Sequence, residues 1–289
     1  MGKRVRKAVL PVAGMGTRVL PGAKTTPKNL LNVVDRPILS YVVEEARAAG
    51  IEHFVFIVGR GQGAIEDYFD SNPEIEGALE AKGKTVILAD VRRDLPKPGE
   101  MSFIRQMAPL GLGHAVWCAR HVIGDEPFAV MLPDMLMAAE PGALSQAVQA
   151  YEQVGGNIVV VEPAPKGEAH KYGIVALEEQ DGRLNRMTGM VEKPAKGTEP
   201  SNLFISGRYI LQPEIFEILE TQERGAGGEI QLTDGMANLM KRQAFHALEY
   251  AGVTYDCGDK IGLLRANVAL ALKRPDLADA AREMIKGLL

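Results

Sequence analysis

The chain has 289 residues, 46% of them hydrophobic, enough to bury a large core in one large or two small domains. A formal net charge of -4 leaves no generalised polyanion surface, so nucleic acid is a poor partner and any phosphate binding should be local. The two cysteines, Cys118 and Cys257, are far apart and in no metal-like spacing, so they read as reduced, buried small hydrophobes of a cytoplasmic protein. The apolar run after Lys3, Arg4, Arg6 and Lys7 is too short for an export signal, and no stretch approaches the roughly 20 apolar residues of a membrane span.

In chain order, Ala8–Val12 is an apolar strand. The stretch from Pro37 to Gly50 is a helix, with Pro37 in its first turn, apolar Ile38, Tyr41, Val42 and Ala46 at helical spacing, and Gly50 as its stop. His53–Val58 is a second strand, suited to a sheet covered on both faces. Ala64–Asp70 is a short helix. Thr85–Ala89 and Ser102–Ile104 read as strands on either side of the loop Pro96-Lys97-Pro98-Gly99. Gly113–His121 is a helix, and Phe128–Leu132 a buried strand ending at Pro133-Asp134. This alternation predicts a Rossmann-like, doubly wound α/β fold. The second half, with strands at Asn157–Glu162, Tyr172–Leu177, Gly189–Glu192 and Leu203–Leu211, predicts a smaller antiparallel or mixed extension. From Ile261 onward the pattern is helical, either a packing helix or an oligomer contact. With no sharp linker or repeat, residues 1–289 read as one composite domain. Residues 1–135, residues 136–260 and a helical tail, 261–289, follow one another within it.

The most informative stretch is Leu10-Pro11-Val12-Ala13-Gly14-Met15-Gly16-Thr17-Arg18, followed by Pro27-Lys28. Two glycines at a strand's carboxyl end let the backbone turn its N–H groups toward an anion, in the place where open α/β sheets bind nucleotides. Arg18 and Lys28 add two cations suited to a polyphosphate. The dinucleotide fingerprint fails, because its third glycine position is Val19, and no window supplies a P-loop.

Other candidates lie further along. Asp134 follows an apolar strand and would face the same crevice, as a metal ligand, a turn residue or a helix cap. Gln106 precedes Gly111 and Gly113 in Arg105-Gln106-Met107-Ala108-Pro109-Leu110-Gly111-Leu112-Gly113-His114. Its amide carries a donor and an acceptor, as a pyrimidine edge does. Glu192 could accept hydrogen bonds from sugar hydroxyls and Lys193 could hold a phosphate. Adjacent strand residues point to opposite faces, so both reach one ligand only if the strand ends or bulges there, and Pro194 suits an ending.

Taken together, these strings resemble the sugar-1-phosphate nucleotidylyltransferases over nearly the whole chain. Lys24-Thr25-Thr26-Pro27-Lys28-Asn29-Leu30-Leu31 and Gly225–Asp234 are similar to the uridylyltransferase branch; in the second string Glu229 and Gln231 are candidates to line the sugar end, and Thr233 or Asp234 could be capping groups. The resemblance implies a nucleotide-diphospho-sugar transferase fold and reversible formation of UDP-glucose and pyrophosphate from UTP and glucose 1-phosphate. It implies a nucleotide-binding half at about 1–135, with Ala13, Gly14, Gly16, Thr17, Gln106 and Gly111 at the nucleotide, and a sugar-phosphate half at about 136–260, with Gly173, Glu192, Lys193 and Ile205 at the sugar phosphate. Arg18, Lys28 and Lys193 become catalytic, and Asp134 and Asp256 ligands of Mg²⁺, with Asp259 a competitor of Asp256. It implies a homodimer or homotetramer. His114 is not needed as a base, since a phosphate nucleophile requires no deprotonation near neutral pH. Alternatives are a thymidylyltransferase making dTDP-glucose and a non-catalytic nucleotide-sugar-binding protein on the same fold. An NAD-dependent dehydrogenase fails on Val19.

Overall fold

A computed structural model describes residues 2–288. Strand β1 (Lys7–Pro11) is followed by the short hairpin β2 (Asn32–Val33) and β3 (Arg36–Pro37), then α1 (Ile38–Ala48), β4 (His53–Val58), α2 (Gly63–Phe69), α3 (Pro73–Ala81), α4 (Thr85–Arg92) and β5 (Met101–Arg105). Next come α5 (Leu112–Cys118), α6 (Arg120–Ile123), β6 (Phe128–Met131), β7 (Met135–Ala138), α7 (Ala143–Val154), β8 (Asn157–Pro163), β9 (Gly173–Leu177), β10 (Leu184–Glu192) and β11 (Leu203–Leu211). The chain closes with α8 (Ile215–Thr221), α9 (Leu232–Leu239), β12 (Phe245–Glu249), β13 (Val253–Asp256), α10 (Lys260–Ala271) and α11 (Ala278–Leu288).

A nine-stranded sheet runs in the order β5-β4-β1-β6-β11-β8-β12-β10-β9. Strands β5, β4, β1 and β6 are mutually parallel. β11 runs antiparallel to β6 and β8, and β10 antiparallel to β12 and β9. The fold is therefore the expected mixed α/β fold with a mostly parallel central sheet. Strands β1, β4 and β6 are near-continuous apolar runs because both faces are covered, whereas the edge strand β5 is only half-buried. Leu39, Val42 and Val43 of α1, with Leu144 and Ala147 of α7, pack on Leu10, Phe54 and Phe56. Val116 of α5, Leu219 of α8 and Met236 of α9 pack on Val9, Val55 and Val130 from the other side. Truncating a fully buried Phe56 to Ala would cost about 3–5 kcal/mol.

This arrangement positions the site. The four parallel strands end on one edge, so the segments that follow them, at Ala13, Gly59, Gln106 and Asp134, share one crevice. A separate two-stranded ribbon pairs β13 with β7, setting Asp256 opposite Met135. That pairing joins the two carboxylates across 122 residues of sequence, Asp256 minus Asp134.

Thr85–Ala89 is not a strand but the start of α4. Its β-branched residues favour extended backbone, yet only by a fraction of a kcal/mol each, and tertiary contacts override that preference. Arg92 reaches back to Glu76 and Glu80 of α3, and Leu88 is buried, while Val86, Ile87 and Val91 face outward. The helix expected over Gly113–His121 divides at Ala119 into α5 and α6. Gly189–Glu192 is the end of the longer β10, which carries a register shift between Met187 and Gly189. The helical tail is two helices: α10 buries Ala266, and α11 buries no side chain among the described residues.

Candidate active site

Lys28 lies across the glycine loop. A Cβ on Gly16 would stand 3.0 Å from the Lys28 Cβ, and one on Gly14 would stand 3.5 Å from its Cε. Gly16 also adopts φ 64°, which L side chains rarely take, so glycine here serves both the turn and the close approach. Ala13 and Gly14 line a cleft of about 360 Å³ with Lys28, Gly59, Gln62 and Gln106. Thr17 is exposed, at the start of a short 3₁₀ turn that also carries Arg18.

Two cations and two carboxylates meet at the mouth of this loop. Lys28 Nζ is 2.5 Å from Asp134 Oδ2, and Arg18 Nη1 is 3.0 Å from Asp256 Oδ2. The second Arg18 nitrogen is 3.8 Å from Asp134, so one guanidinium spans both acids. Burial works to raise the Asp134 carboxyl, but the adjacent ammonium of Lys28 and the charge of Arg18 hold it below the ordinary aspartate value. For Arg18, burial is opposed by Asp256 and Asp134, which raise its guanidinium above the ordinary arginine value. The neighbouring Cys257 thiol, buried beside these acids, is pushed up to about 12 and takes no part as a thiolate. Asp259 is not the second acid of this cluster. Its side chain caps α10, accepting from the N–H groups of Ile261 and Gly262.

The turn carrying Asp134 is braced from below. Fully buried Arg208, on β11, donates to the Leu132 and Met135 carbonyls at 3.0 and 2.8 Å. Its charge is matched by Glu45 of α1 at 2.7 Å. On the other side the Cys257 N–H donates to the Asp134 carbonyl.

Gln106 leaves the end of β5, with its backbone N–H donating to Val58 and its side-chain nitrogen to the Gly111 carbonyl at 3.1 Å. Gly111 has φ 105°, and a Cβ there would stand 2.8 Å from the Ile230 carbonyl. Two backbone hydrogen bonds, Gly113 to Ile230 and Ile230 to Leu110, tie this segment to the one ahead of α9. Glu229 is thereby drawn into a contiguous cleft of about 320 Å³ with Gly111, Gln106, Lys28 and Asp134.

Glu192 and Lys193 end β10. Lys193 has φ 45°, a left-handed conformation rare for a residue other than glycine, and costing about 1–3 kcal/mol where it persists. That one residue ends the strand's alternation, and the Lys193 ammonium returns to 3.6 Å from Glu192. Gly173 pairs with Glu192 across β9, and a Cβ on it would press on Glu192, Ile205 and Thr233 at 3.0, 3.3 and 3.5 Å. The Thr233 hydroxyl donates to Glu192 at 2.8 Å and fixes its carboxylate. The structure thus brings Gly173, Glu192, Lys193 and Ile205 together.

Four further residues contribute to this site. Gln62 accepts from the Gly59 N–H and donates to the Val12 carbonyl, locking the β4 turn to the glycine loop. Glu229 lines the cleft, and Thr233 holds Glu192 rather than capping α9. Gly258 donates to Asp256, and any side chain on it would collide with Arg18 and stand 2.8 Å from both carboxylates. Gly258 had a readable signal in the Asp-x-Gly string and Glu229 in the Gly225–Asp234 string, whereas Gln62 had none and Thr233 read as a capping group.

Residues 7–272 match the family described as nucleotidyl transferase. The chain is 46% identical over 287 residues to a UTP–glucose-1-phosphate uridylyltransferase of Bacillus subtilis, covering 99% of this chain and 98% of that one. A solved structure of a UTP-bound UGPase from Acinetobacter baumannii superposes with a TM-score of 0.91 at 40% identity, covering 99% of this chain and all of that one. A UDP-glucose pyrophosphorylase complexed with UDP-glucose gives 0.83 at 38% identity, over 93% of this chain and 100% of that one. Full-length likeness of this degree, together with the domain match, means that the chain belongs to the nucleotidyl transferase family.

Proposed function

We propose that this chain is a UTP–glucose-1-phosphate uridylyltransferase, forming UDP-glucose and pyrophosphate from UTP and α-D-glucose 1-phosphate. The observation that carries the reading is the closed set of Arg18, Lys28, Asp134 and Asp256 at the glycine loop. Its two positive and two negative charges balance, and a metal–triphosphate complex would bring the complementary partner for each. On this reading the cations exchange carboxylates for phosphates, and the carboxylates are released toward a metal ion.

The residues present fit Mg²⁺. Among the described residues no group of three or more His, Cys, Asp or Glu side chains forms a metal cage. Two carboxylates within reach of one guanidinium suit a small hard cation, which completes its shell with water and substrate phosphate. When bound, such an ion supplies charge neutralisation at the phosphate oxygens.

The chain's own residues then position the reactants. A phosphate oxygen of glucose 1-phosphate forms a bond to the α-phosphorus of UTP, in line with the bond to the β-phosphate. That bond breaks, and pyrophosphate leaves with its electron pair. Such chemistry needs alignment and charge stabilisation more than a protein nucleophile. Lys28 sits at the α- and β-phosphates, and Arg18 stabilises the leaving group. Lys193 orients the nucleophile while Glu192, set by Thr233, receives sugar hydroxyls. Ala13, Gly14, Gly16 and Thr17 supply the loop, and Gln106 with Gly111 the pyrimidine pocket. We read residues 1–289 as one working unit, since one sheet supplies both ends of the site.

The uridine reading is preferred to dTDP-glucose formation because the 46%-identical relative carries the uridylyltransferase name. Pyrophosphate release with UTP and dTTP side by side tests it, and preference for dTTP would overturn it. Retention of both acids and all three cations argues against a non-catalytic binder. Glucose 1-phosphate-dependent release, abolished by a chelator and restored by Mg²⁺, is the expected outcome. We further expect a cytoplasmic homodimer or homotetramer, for which sedimentation is the direct measurement. Consistent with that compartment, both cysteines are free thiols.

A further inference from the structure

The amide of Gln106 is held at one end only. Its nitrogen donates to the Gly111 carbonyl at 3.1 Å and to His114 Nδ1 at 3.0 Å. A carbonyl can only accept, so the Gly111 contact fixes which end of the amide is nitrogen. The second N–H then requires an unprotonated acceptor at His114 Nδ1, which places the ring proton on Nε2 and leaves the imidazole neutral. The Cys118 sulfur lies 3.8 Å from the same Nδ1, where its weak S–H donor could only share the lone pair that the Gln106 N–H occupies. Burial and the nearby charge of Arg120 hold the His114 imidazolium below its ordinary pKa, in keeping with a neutral ring. His114 is itself placed by α5, where the Gly113 N–H is bonded to Ile230, and its ring leans on Trp117 with centroids 5.8 Å apart.

We propose that His114 is a specificity-determining positioning residue: by taking the second N–H of Gln106, it leaves only the amide oxygen to face the base. The proposal rests on the uridine reading above. With both hydrogens committed, Gln106 meets the pyrimidine as an acceptor. Uracil and thymine present an N3–H donor to such a group. Cytosine presents a lone pair at N3 and is rejected there. With the Gly111 contact alone, one hydrogen bond instead of two opposes a flip about the broad, roughly two-fold terminal amide torsion, and the amide presents its NH₂ to the base more readily. A single well-formed hydrogen bond and its mis-set alternative differ by roughly ten-fold in affinity.

The experiment is steady-state kinetics with UTP and CTP on the full chain, for wild type, His114→Phe and His114→Asn, with the ¹⁵N spectrum of the wild-type histidines. His114→Phe should raise KM for UTP roughly ten-fold and shrink the preference for UTP over CTP, with KM for glucose 1-phosphate unmoved. His114→Asn, which can place an acceptor near Nδ1, should restore most of both losses. The spectrum should show His114 Nδ1 unprotonated at neutral pH. Unaltered UTP selection in His114→Phe, or equal losses toward both substrates, would overturn the proposal. So would a protonated Nδ1, a readout that stands even if a variant fails to fold. Wild-type enzyme that does not use UTP would instead defeat the uridine reading, and the spectrum would still decide whether His114 sets the amide.

Discussion

The two ends of the cleft are built on opposite plans. The proposed nucleotide end stands at the carboxyl edge of parallel strands, and its charges are already paired in the free protein: Lys28 with Asp134, Arg18 with Asp256. The proposed sugar end stands on the antiparallel pair β9 and β10, with Lys193 61% exposed and held in a left-handed conformation. The first end must break ion pairs to bind its ligand, but its side chains are pre-placed. The second has little to break and depends on one strained residue and one hydroxyl for its geometry. Loss of charge should therefore dominate at the first end, and loss of orientation at the second.

The largest effect is expected where a charge is removed from the paired end. Lys28→Ala should lower kcat/KM by about 10²- to 10³-fold, the usual cost of losing one pre-placed electrostatic group. Asp134→Asn should fall in the same range and weaken the response to Mg²⁺. Near-wild-type turnover in either would break the contrast. At the open end, Lys193→Ala should raise KM for glucose 1-phosphate by about ten-fold, with KM for UTP little changed. Thr233→Val keeps the volume but removes the hydrogen bond to Glu192. It should cost about five-fold on glucose 1-phosphate alone.

Stability separates the ends further. Lys193→Gly should lose sugar-phosphate binding yet raise unfolding free energy by about 1 kcal/mol, because glycine accepts φ 45° without strain. A destabilised Lys193→Gly protein in a urea titration would remove the strain argument. The two ends should also respond oppositely to acid. Asp134 titrates below the ordinary aspartate value in the fold, despite its burial, because Lys28 and Arg18 outweigh it. Its contribution is thus complete above the ordinary value and lost as pH falls through the lowered one. Asp234, beside the sugar end, is raised by burial and by Glu192, so its ionisation costs stability at neutral pH. Asp134→Asn should therefore weaken the fold near neutrality and Asp234→Asn should strengthen it slightly, both differences fading in acid. Denaturant midpoints at neutral and acid pH read both signs.

Legibility in the sequence follows the same division. The parallel half was readable because β1, β4 and β6 are apolar runs, and just past the ends of β1 and β6 stand residues of distinct chemistry, Gly14 and Asp134. Thr85–Ala89 misled because its β-branched run belongs to a surface helix held by Arg92 to Glu76 and Glu80, a contact no local window contains. Glu192-Lys193 was readable as a pair, and its need for a strand ending was met by the φ of Lys193. Glu229 was readable only as a lining candidate of the Gly225–Asp234 string, and Thr233 only as a capping group. Their place depends on the backbone bonds between Ile230 and the Leu110–Gly113 segment, a tertiary closure with no spacing rule. Arg208 was hidden for the same reason: a fully buried arginine is intelligible only once Glu45 and the Asp134 turn surround it.

Pyrophosphate release across a matrix of UTP, dTTP, CTP and ATP against glucose 1-phosphate and galactose 1-phosphate, with and without Mg²⁺, bears most directly on the proposed uridylyl transfer. Release should be fastest with UTP and glucose 1-phosphate, should require both substrates and the metal, and should collapse in Lys28→Ala. Metal-independent release, a preference for dTTP, or undiminished turnover in Lys28→Ala would contradict the proposed exchange of ion pairs for metal and triphosphate.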